Sequence, residues 1–169
     1  SKDVYSSNIS IVNQKTFIFN MSIRENLSLI NSNKKRQIDA CKRVGIHDFI
    51  MSLPDGYNTI LKEDATNISG GQKQLLSLAR ALLTTSKIIL LDEVTSSLDP
   101  NTTDKIINLL DDLKSDHTLI IITHNKDLMK VSDNLIVLNN GKIECIGKHD
   151  ELIKSNHIYK ELNAITDDN

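Results

Sequence analysis

Two short groups of residues have side chains and spacing that suit phosphate chemistry. Residues 69–72, Ser-Gly-Gly-Gln, precede a helical pattern of apolar residues, and Asp92-Glu93 closes the apolar run 87–91. Ser69 is suited to cap a helix, and Gln72 completes a capping box with it. The glycines between them allow main-chain N–H groups to approach an anion, and the helix dipole adds partial positive charge. Together the two groups predict the two halves of a phosphate site.

The two acids stand where open α/β sheets place ligand chemistry, at the end of a strand. Asp92 is a candidate Mg²⁺ ligand that acts through water, and Glu93 is a candidate base that polarises an attacking water. His124 follows a second apolar run and is a candidate contact for a γ-phosphate, because phosphoryl transfer depends on positioning and charge stabilisation. Taken singly, the acids have another interpretation as caps of the following turn, and His124 as a structural histidine.

Composition argues against several classes of protein. The 169 residues carry a net charge of −2, which argues against a nucleic-acid binder with a basic surface. Cys41 and Cys145 fit no metal-binding spacing and predict reduced thiols of a cytosolic protein. No apolar run approaches the roughly 18 residues of a transmembrane helix, so we expect any membrane association to go through a partner.

The elements around these residues predict an α/β fold. Strands are predicted near Gln14, at 87–91 and at 118–122, the last two buried on both faces. Asp99 followed by proline predicts the start of a helix between two parallel strands. Asn140 followed by glycine predicts a hairpin turn. Aromatic side chains are interpreted as packing residues at Phe17, Phe19 and Tyr57. Helices are predicted at 22–27, 34–44, 70–83, 100–113 and 149–165.

The order of these motifs resembles the ATP-binding domain of the ATP-binding cassette (ABC) transporters, from Gln14 to about Leu162. The resemblance implies that Asp92 is the Walker B aspartate, Glu93 the catalytic glutamate and His124 the switch histidine. It implies that Gln14 begins a loop towards the membrane domain, and Gln14 is counted among the catalytic and metal-binding candidates. The family signature, which contacts the γ-phosphate of ATP held by the other subunit, corresponds to Ser69, Gly70, Gly71 and Gln72. The D-loop, which crosses the dimer interface, corresponds to Ser97, Leu98 and Asp99, and Asp99 is a candidate ATP contact.

Several segments resemble exporter-type members of the family, among them residues 19–27, 56–60 and 141–152. Lys62 stands where exporters tend to have glycine, and Val94 where a small residue or proline is common. No G-x-x-x-x-G-K-[ST] motif occurs in the sequence. The family places that phosphate loop upstream of Gln14, so the resemblance implies that the first third of the domain lies outside these 169 residues. We therefore expect the isolated chain to be inactive as an ATPase.

The expected protein is an ATP-binding and ATP-hydrolysing domain that couples ATP hydrolysis to export. The expected fold is α/β, a partial RecA-like P-loop NTPase core with a parallel sheet and an α-helical signature subdomain. The subdomain is predicted at about 16–84, and the core remainder at 1–15 and 85–169. ATP and Mg²⁺ are the implied cofactors. The implied partners are the transmembrane domain of an exporter and a second copy of the domain, at the cytoplasmic face of the cell membrane.

Two other interpretations have different functions. One is a non-catalytic interaction module, which contributes only a signature face to a partner that carries the phosphate loop. The other is a soluble ABC ATPase of DNA repair or translation, although such proteins usually carry coiled-coil insertions or tandem cassettes. The exporter-like segments favour the transporter interpretation. ATPase measurements with and without a partner that carries the phosphate loop separate the first alternative from it.

Overall fold

The computed structural model describes residues 8–15 and 17–165, which divide into two compact units between Ile122 and Thr123. Thr16, where the sequence predicts the start of the helical subdomain, lies outside the described residues. So do residues 1–7 of the predicted core segment 1–15 and residues 166–169 of the segment 85–169. The division into a helical subdomain and a core remainder stays a prediction.

A parallel sheet forms the centre of the first unit. Its strands lie in the order β1 (Ile9–Val12), β2 (Ile88–Asp92) and β3 (Thr118–Ile122). Val12 pairs with Leu91, and Asp92 pairs with Ile122, so the carboxyl ends of the three strands meet at one edge of the sheet. The predicted α/β class with a parallel sheet is confirmed.

Helices accompany this sheet, and local capping chemistry starts most of them. In the described part of the first unit the α-helices are α1 (Ile23–Ser28), α2 (Lys34–Arg43), α3 (His47–Ser52), α4 (Gly70–Leu82) and α5 (Pro100–Leu113). A capping box between Ser22 and Glu25 starts α1, and the Asn33 side chain caps α2. Gly45, just past α2, has a φ of +81°, which glycine adopts without steric cost. Short 3₁₀ turns at Gly56–Asn58 and Glu63–Ala65 lead towards α4.

Apolar side chains from these helices and from β2 form the core of the first unit. Leu27 of α1, Leu76 of α4, Leu91 of β2 and Ile106 of α5 are all buried, and α2 packs against α4. Full burial of one such side chain stabilises the fold by about 1.5–3 kcal/mol. The helix that begins at the signature is therefore anchored along its apolar face, while its first residues stay at the surface.

The expectation that β3 is buried on both faces is wrong. Ile120 and Ile122 of β3 are 53% and 62% exposed, so β3 is not buried on both faces. This strand pairs with β2, and the described residues leave one of its faces uncovered. The aromatic side chains interpreted as packing residues do pack: the rings of Phe17 and Phe19 meet edge to face with centroids 4.8 Å apart, although the two residues are 65% and 37% exposed, and Tyr57 is buried.

The second unit combines a hairpin with three short helices among its described residues. The elements are α6 (Lys126–Val131), β4 (Leu135–Asn139), β5 (Lys142–Gly147), α7 (His149–Ser155) and α8 (His157–Ile165). Strands β4 and β5 pair antiparallel, and φ is +49° at Asn140 and +74° at Gly141, as a type I′ turn requires. The predicted hairpin is confirmed. Val137, Leu152 and Tyr159 form a small buried cluster.

The helical region predicted at 149–165 consists of α7 and α8, which are separated at Asn156. Helices α3 and α6 were not predicted, because six residues are too few to show a helical period. Among the described residues, no helix has the length and apolar character needed to span a membrane.

Candidate functional site

The carboxyl edge of the sheet carries the predicted acids. Asp92 is the last residue of β2, Glu93 follows it, and both are half-buried. Gln14 is exposed and lies two residues beyond the end of β1, which pairs with β2 in parallel. The register of the strands therefore brings Gln14 and the two acids to the same edge of the sheet. Their oxygen atoms are the ligand type that Mg²⁺ prefers.

Glu93 has a backbone conformation that side chains rarely adopt. Its φ is +51°, in the left-handed region, which costs a residue other than glycine roughly 1–2 kcal/mol. Its main-chain N–H donates to the carbonyl of Ile122 at 2.9 Å, which continues the pairing of β2 with β3. Its carbonyl accepts from the Ser96 hydroxyl at 2.9 Å and from the Ser96 N–H at 3.1 Å. Strain of this kind persists where surrounding contacts hold it, often at functional sites.

The predicted signature residues form the start of α4. The Ser69 hydroxyl accepts from the Gln72 N–H at 3.2 Å, and the Gln72 side chain accepts from the Ser69 N–H at 2.8 Å. This reciprocal pair is the capping box expected from the sequence. Ser69 and Gly70 are exposed, and Gly71 and Gln72 are half-buried, so the positive end of the helix dipole faces solvent.

The second signature glycine meets a steric requirement inside the chain. A Cβ at Gly71 would lie 2.8 Å from the carbonyl oxygen of Ser97, closer than real Cβ atoms approach. A Cβ at Gly70 would lie 3.7 Å from the nearest atom, the Cβ of Ser97, which is ordinary contact. The two glycines therefore have different roles. Gly71 allows the predicted D-loop to pack against α4, whereas Gly70 is exposed and makes no such close approach.

A side chain of α4 also bonds to the loop after β2. Gln74 is buried, and its Nε2 donates to the Glu93 carbonyl at 3.0 Å, while its Oε1 accepts from the Ser97 N–H at 3.3 Å. The signature helix and the segment that carries Glu93 and the predicted D-loop are thus joined by hydrogen bonds. This contact was not predicted from the sequence. Its one sequence signal is an amide among the apolar positions of α4, next to Leu75.

Asp99 acts as the cap of α5 in this structure. One carboxylate oxygen accepts from the Thr102 N–H at 3.1 Å, and the other accepts from the Thr102 hydroxyl at 2.6 Å. These bonds lower the pKa of the Asp99 carboxyl from its usual value. Asp99 is exposed, and its predicted contact with ATP stays a proposal.

His124 belongs to the second unit. It follows β3 by two residues, precedes the Asn125 cap of α6 and is exposed. The Asn125 side chain accepts from the N–H groups of Asp127 and Leu128, at 2.9 and 3.0 Å, and so fixes the first turn after His124. The position of His124 at the end of a strand agrees with its predicted place in the chain, and its role remains a prediction.

The described residues do not gather a protein-only metal cage. Across residues 8–15 and 17–165, no group of three or more His, Cys, Asp or Glu side chains lies together as metal ligands would. A cavity of about 220 Å³ lies between β1 and α4, but Asp92 and Glu93 do not line it.

A family sequence model described as ABC transporter matches residues 1–96, which are more than half of the chain. The chain belongs to the ABC transporter family. The match spans the predicted signature and Walker B acids of this ABC transporter chain.

Relatives of this ABC chain include proteins with different named cargos. The ATP-dependent lipid A-core flippase of Saccharophagus degradans is 38% identical over 156 residues, which are 91% of this chain and 27% of the flippase. The glutathione/L-cysteine transport system ATP-binding/permease protein CydD of Bacillus subtilis is 37% identical over 163 residues, which are 95% of this chain and 28% of CydD. The human ATP-binding cassette sub-family B member 5 is 39% identical over 160 residues, 92% of this chain and 13% of that protein. The chain therefore spans less than a third of the length of these ABC relatives.

A solved structure has the same fold as this chain. A bacterial Atm1-family ABC exporter with ATP bound matches with a TM-score of 0.94 and 31% identity, over 98% of this chain and 30% of that chain. The expected α/β fold with a partial RecA-like core is confirmed, and so is the exporter-type resemblance, while the bounds of the helical signature subdomain stay a prediction. The assignment of individual ABC site residues stays a prediction.

Proposed function

We propose that this chain is the ATP-hydrolysing part of an ABC exporter, which works with a transmembrane domain at the cytoplasmic face of the cell membrane. The observation that supports hydrolysis most strongly is the left-handed backbone of Glu93 directly after the Asp92 carboxylate. Such backbone strain persists only where surrounding contacts hold it, and strained residues cluster at functional sites. The exporter-type relatives support the transport role.

Asp92 and Gln14 would hold Mg²⁺ at the carboxyl edge of the sheet. A carboxylate and an amide carbonyl are hard oxygen ligands; Asp92 is the last residue of β2, and Gln14 lies two residues beyond the neighbouring strand β1. When bound, the ion neutralises charge on the β- and γ-phosphates of ATP. The paired strands β1 and β2 bring the two residues to one edge of the sheet.

Glu93 would act as the general base of hydrolysis. Its carboxylate accepts a proton from the water that attacks the γ-phosphorus, and the bond from phosphorus to the bridging oxygen then breaks to release ADP. The backbone bonds on both sides of Glu93 hold its Cα, and hence the origin of its side chain, in one place. His124 would contact the γ-phosphate, where charge develops in the transition state.

The signature would serve ATP held by a second copy of the domain. The N-terminus of α4 carries partial positive charge and open surface at Gly70, whereas Asp92 and Glu93 are negative. Two copies related by a two-fold axis would provide two equivalent composite sites, each with acids from one copy and a signature from the other. Ser97, Leu98 and Asp99 would then cross the interface beside the signature, since Ser97 and Leu98 lie close to Gly71 in this chain.

A mixed dimer of the full-length transporter tests the composite site. Glu93→Gln removes the base, and Gly70→Asp places a negative charge at the signature, where a Cβ meets its nearest atom at an ordinary contact distance of 3.7 Å. With both changes in one copy, each of the two sites has one defect, and turnover is expected to be lost. With the changes in opposite copies, both defects fall on one site, and the intact second site is expected to hydrolyse ATP. Equal turnover in the two arrangements would contradict the composite site.

The membrane domain would select the cargo. The flippase and CydD differ in the cargo that their names state, although they are 38% and 37% identical to this chain. The ATP-binding domain would therefore supply the same hydrolysis step to different transport pathways. ATP, Mg²⁺ and a second copy of the domain are its proposed ligands and partner.

A further inference from the structure

One buried side chain links the signature helix to the loop that carries Glu93. Gln74 lies in the second turn of α4 and is 3% exposed. Its Nε2 donates to the main-chain carbonyl of Glu93 at 3.0 Å and to the Oγ of Ser96 at 3.3 Å. Its Oε1 accepts from the main-chain N–H of Ser97 at 3.3 Å. Both polar atoms of this amide therefore bond to the loop after β2.

The carbonyl that Gln74 contacts belongs to the residue with the left-handed backbone, Glu93. A residue in this conformation keeps it only while the surrounding contacts are in place. The peptide orientation at this point sets the direction of the Glu93 side chain. Ser96 donates to the same carbonyl from within the loop, whereas Gln74 donates from a different element whose apolar face is anchored in the core. Gln74 thus connects the loop to a fixed support.

We propose that Gln74 is a positioning residue for Glu93 of the same chain. This inference rests on the proposed role of Glu93 as the base. In this proposal two parts of α4 have different functions. The start of α4 contacts the ATP that the partner binds, and the second turn of α4 positions the base of the chain's own site. Gln74 is buried and bonds to the Glu93 carbonyl, so its effect on hydrolysis passes through the Glu93 backbone.

Steady-state kinetics of the full-length transporter provide the first test. In Gln74→Leu we expect kcat to fall about 10- to 100-fold, because small displacements of a catalytic group cost this much. We expect the KM for ATP to change by less than about threefold, because substrate binding does not use the base. A loss confined to kcat indicates an interaction that matters in the transition state.

Gln37 provides a matched control. It is a fully buried amide on α2, and like Gln74 it makes three hydrogen bonds, to Arg24, Ser28 and the carbonyl of Asn31. None of these partners lies in the loop after β2. Gln37→Leu should lower the melting temperature as Gln74→Leu does, since both leave buried partners unsatisfied, but it should keep kcat within about twofold.

A mixed dimer provides the second test. The expected result is opposite to that for Glu93→Gln with Gly70→Asp, because Gln74 and Glu93 of one copy serve the same site. With Glu93→Gln and Gln74→Leu in the same copy, both defects fall on one site, and turnover should equal that of a dimer with Glu93→Gln in one copy only. With the two changes in opposite copies, each site has one defect, and turnover should fall at least about tenfold further. A general loss of stability lowers both arrangements alike.

Three results would overturn the proposal: kcat of Gln74→Leu within about twofold of the unmodified protein, an equal loss of kcat in Gln37→Leu, or equal turnover in the two mixed dimers. If Gln74→Leu fails to fold, Gln74→Glu replaces it in the same measurements, because glutamate keeps an acceptor for the Ser97 N–H and loses the donor to the Glu93 carbonyl. If Glu93→Gln itself still hydrolyses ATP, the proposed function fails. If that variant is inactive and only the Gln74 results disagree, this inference alone fails.

Discussion

The α-carbon of Gly71 faces the carbonyl oxygen of Ser97 so closely that a Cβ built on it would lie 2.8 Å away. Gly71 is the second glycine of the signature, and Ser97 is in the predicted D-loop. The absence of a side chain at Gly71 therefore lets α4 and this loop pack in contact. This steric requirement arises within a single chain.

Alanine at the two signature glycines should separate packing from binding. Gly71→Ala forces the loop at Ser97 away from α4, which should destabilise the chain by about 1–3 kcal/mol. Gly70→Ala meets its nearest atom at 3.7 Å and should change the free energy of unfolding by less than about 0.5 kcal/mol. Denaturant unfolding of both variants checks this. Equal stability of the two would contradict the steric role of Gly71.

Stability should fall at alkaline pH because of Cys41. Burial raises the pKa of this thiol from 9.0 to about 11. Below about pH 9 both states keep the proton, and between about pH 9 and pH 11 the unfolded chain loses it first. The free energy of unfolding should therefore decrease by up to about 2–3 kcal/mol across this window.

The control for that measurement is Cys41→Ala. Burial also raises the pKa of the neighbouring Tyr57, so this variant keeps some alkaline loss, which begins about one pH unit higher. Denaturant unfolding at several pH values compares the two proteins. The burial of the thiol would be contradicted if the free energy of unfolding of the unmodified chain stayed constant or rose from about pH 9 to pH 11.

His124→Ala should remove most of the ATPase activity of the full-length transporter. The proposed contact with the γ-phosphate stabilises charge in the transition state, and loss of one such donor costs about 10²-fold or more in kcat. His157→Ala is the control, since His157 is an exposed residue at the start of α8. Phosphate release under saturating Mg·ATP compares the two. Unchanged turnover in His124→Ala would return His124 to a structural role.

The 169-residue chain by itself should hydrolyse no ATP. Its sequence contains no G-x-x-x-x-G-K-[ST], and so it lacks the lysine and the main-chain N–H groups with which that motif holds the β- and γ-phosphates. Phosphate release by the purified chain tests this, with its Glu93→Gln variant as the control for contaminating ATPases. Turnover that Glu93→Gln abolishes would contradict the prediction.

Local chemistry explains the parts of the structure that the sequence predicts well. The capping box at Ser69, the cap at Asp99 and the turn at Asn140 each depend on residues at most three positions apart. Parallel pairing of β2 and β3 follows from two apolar runs joined by a helix. The class of fold and the edge that carries the acids are therefore accessible from the sequence.

Contacts between distant residues explain what the sequence does not predict. Gln74 and Glu93 are 19 positions apart, and no local pattern pairs a helix amide with the carbonyl of a strand-end residue. The positive φ of Glu93 depends on these tertiary bonds, because glutamate has no intrinsic preference for that conformation. The exposed face of β3 was missed for a related reason: an apolar run predicts a strand but not what covers it.

The most direct test of the account is ATP hydrolysis by Glu93→Gln in the full-length transporter. This change removes the base and nearly preserves the shape of the side chain. The account predicts that the variant binds ATP and forms the ATP-dependent dimer, as measured by nucleotide binding and sedimentation, while phosphate release falls to background. Phosphate release at the unmodified rate, in a variant that binds ATP normally, would contradict the assignment of Glu93 as the base.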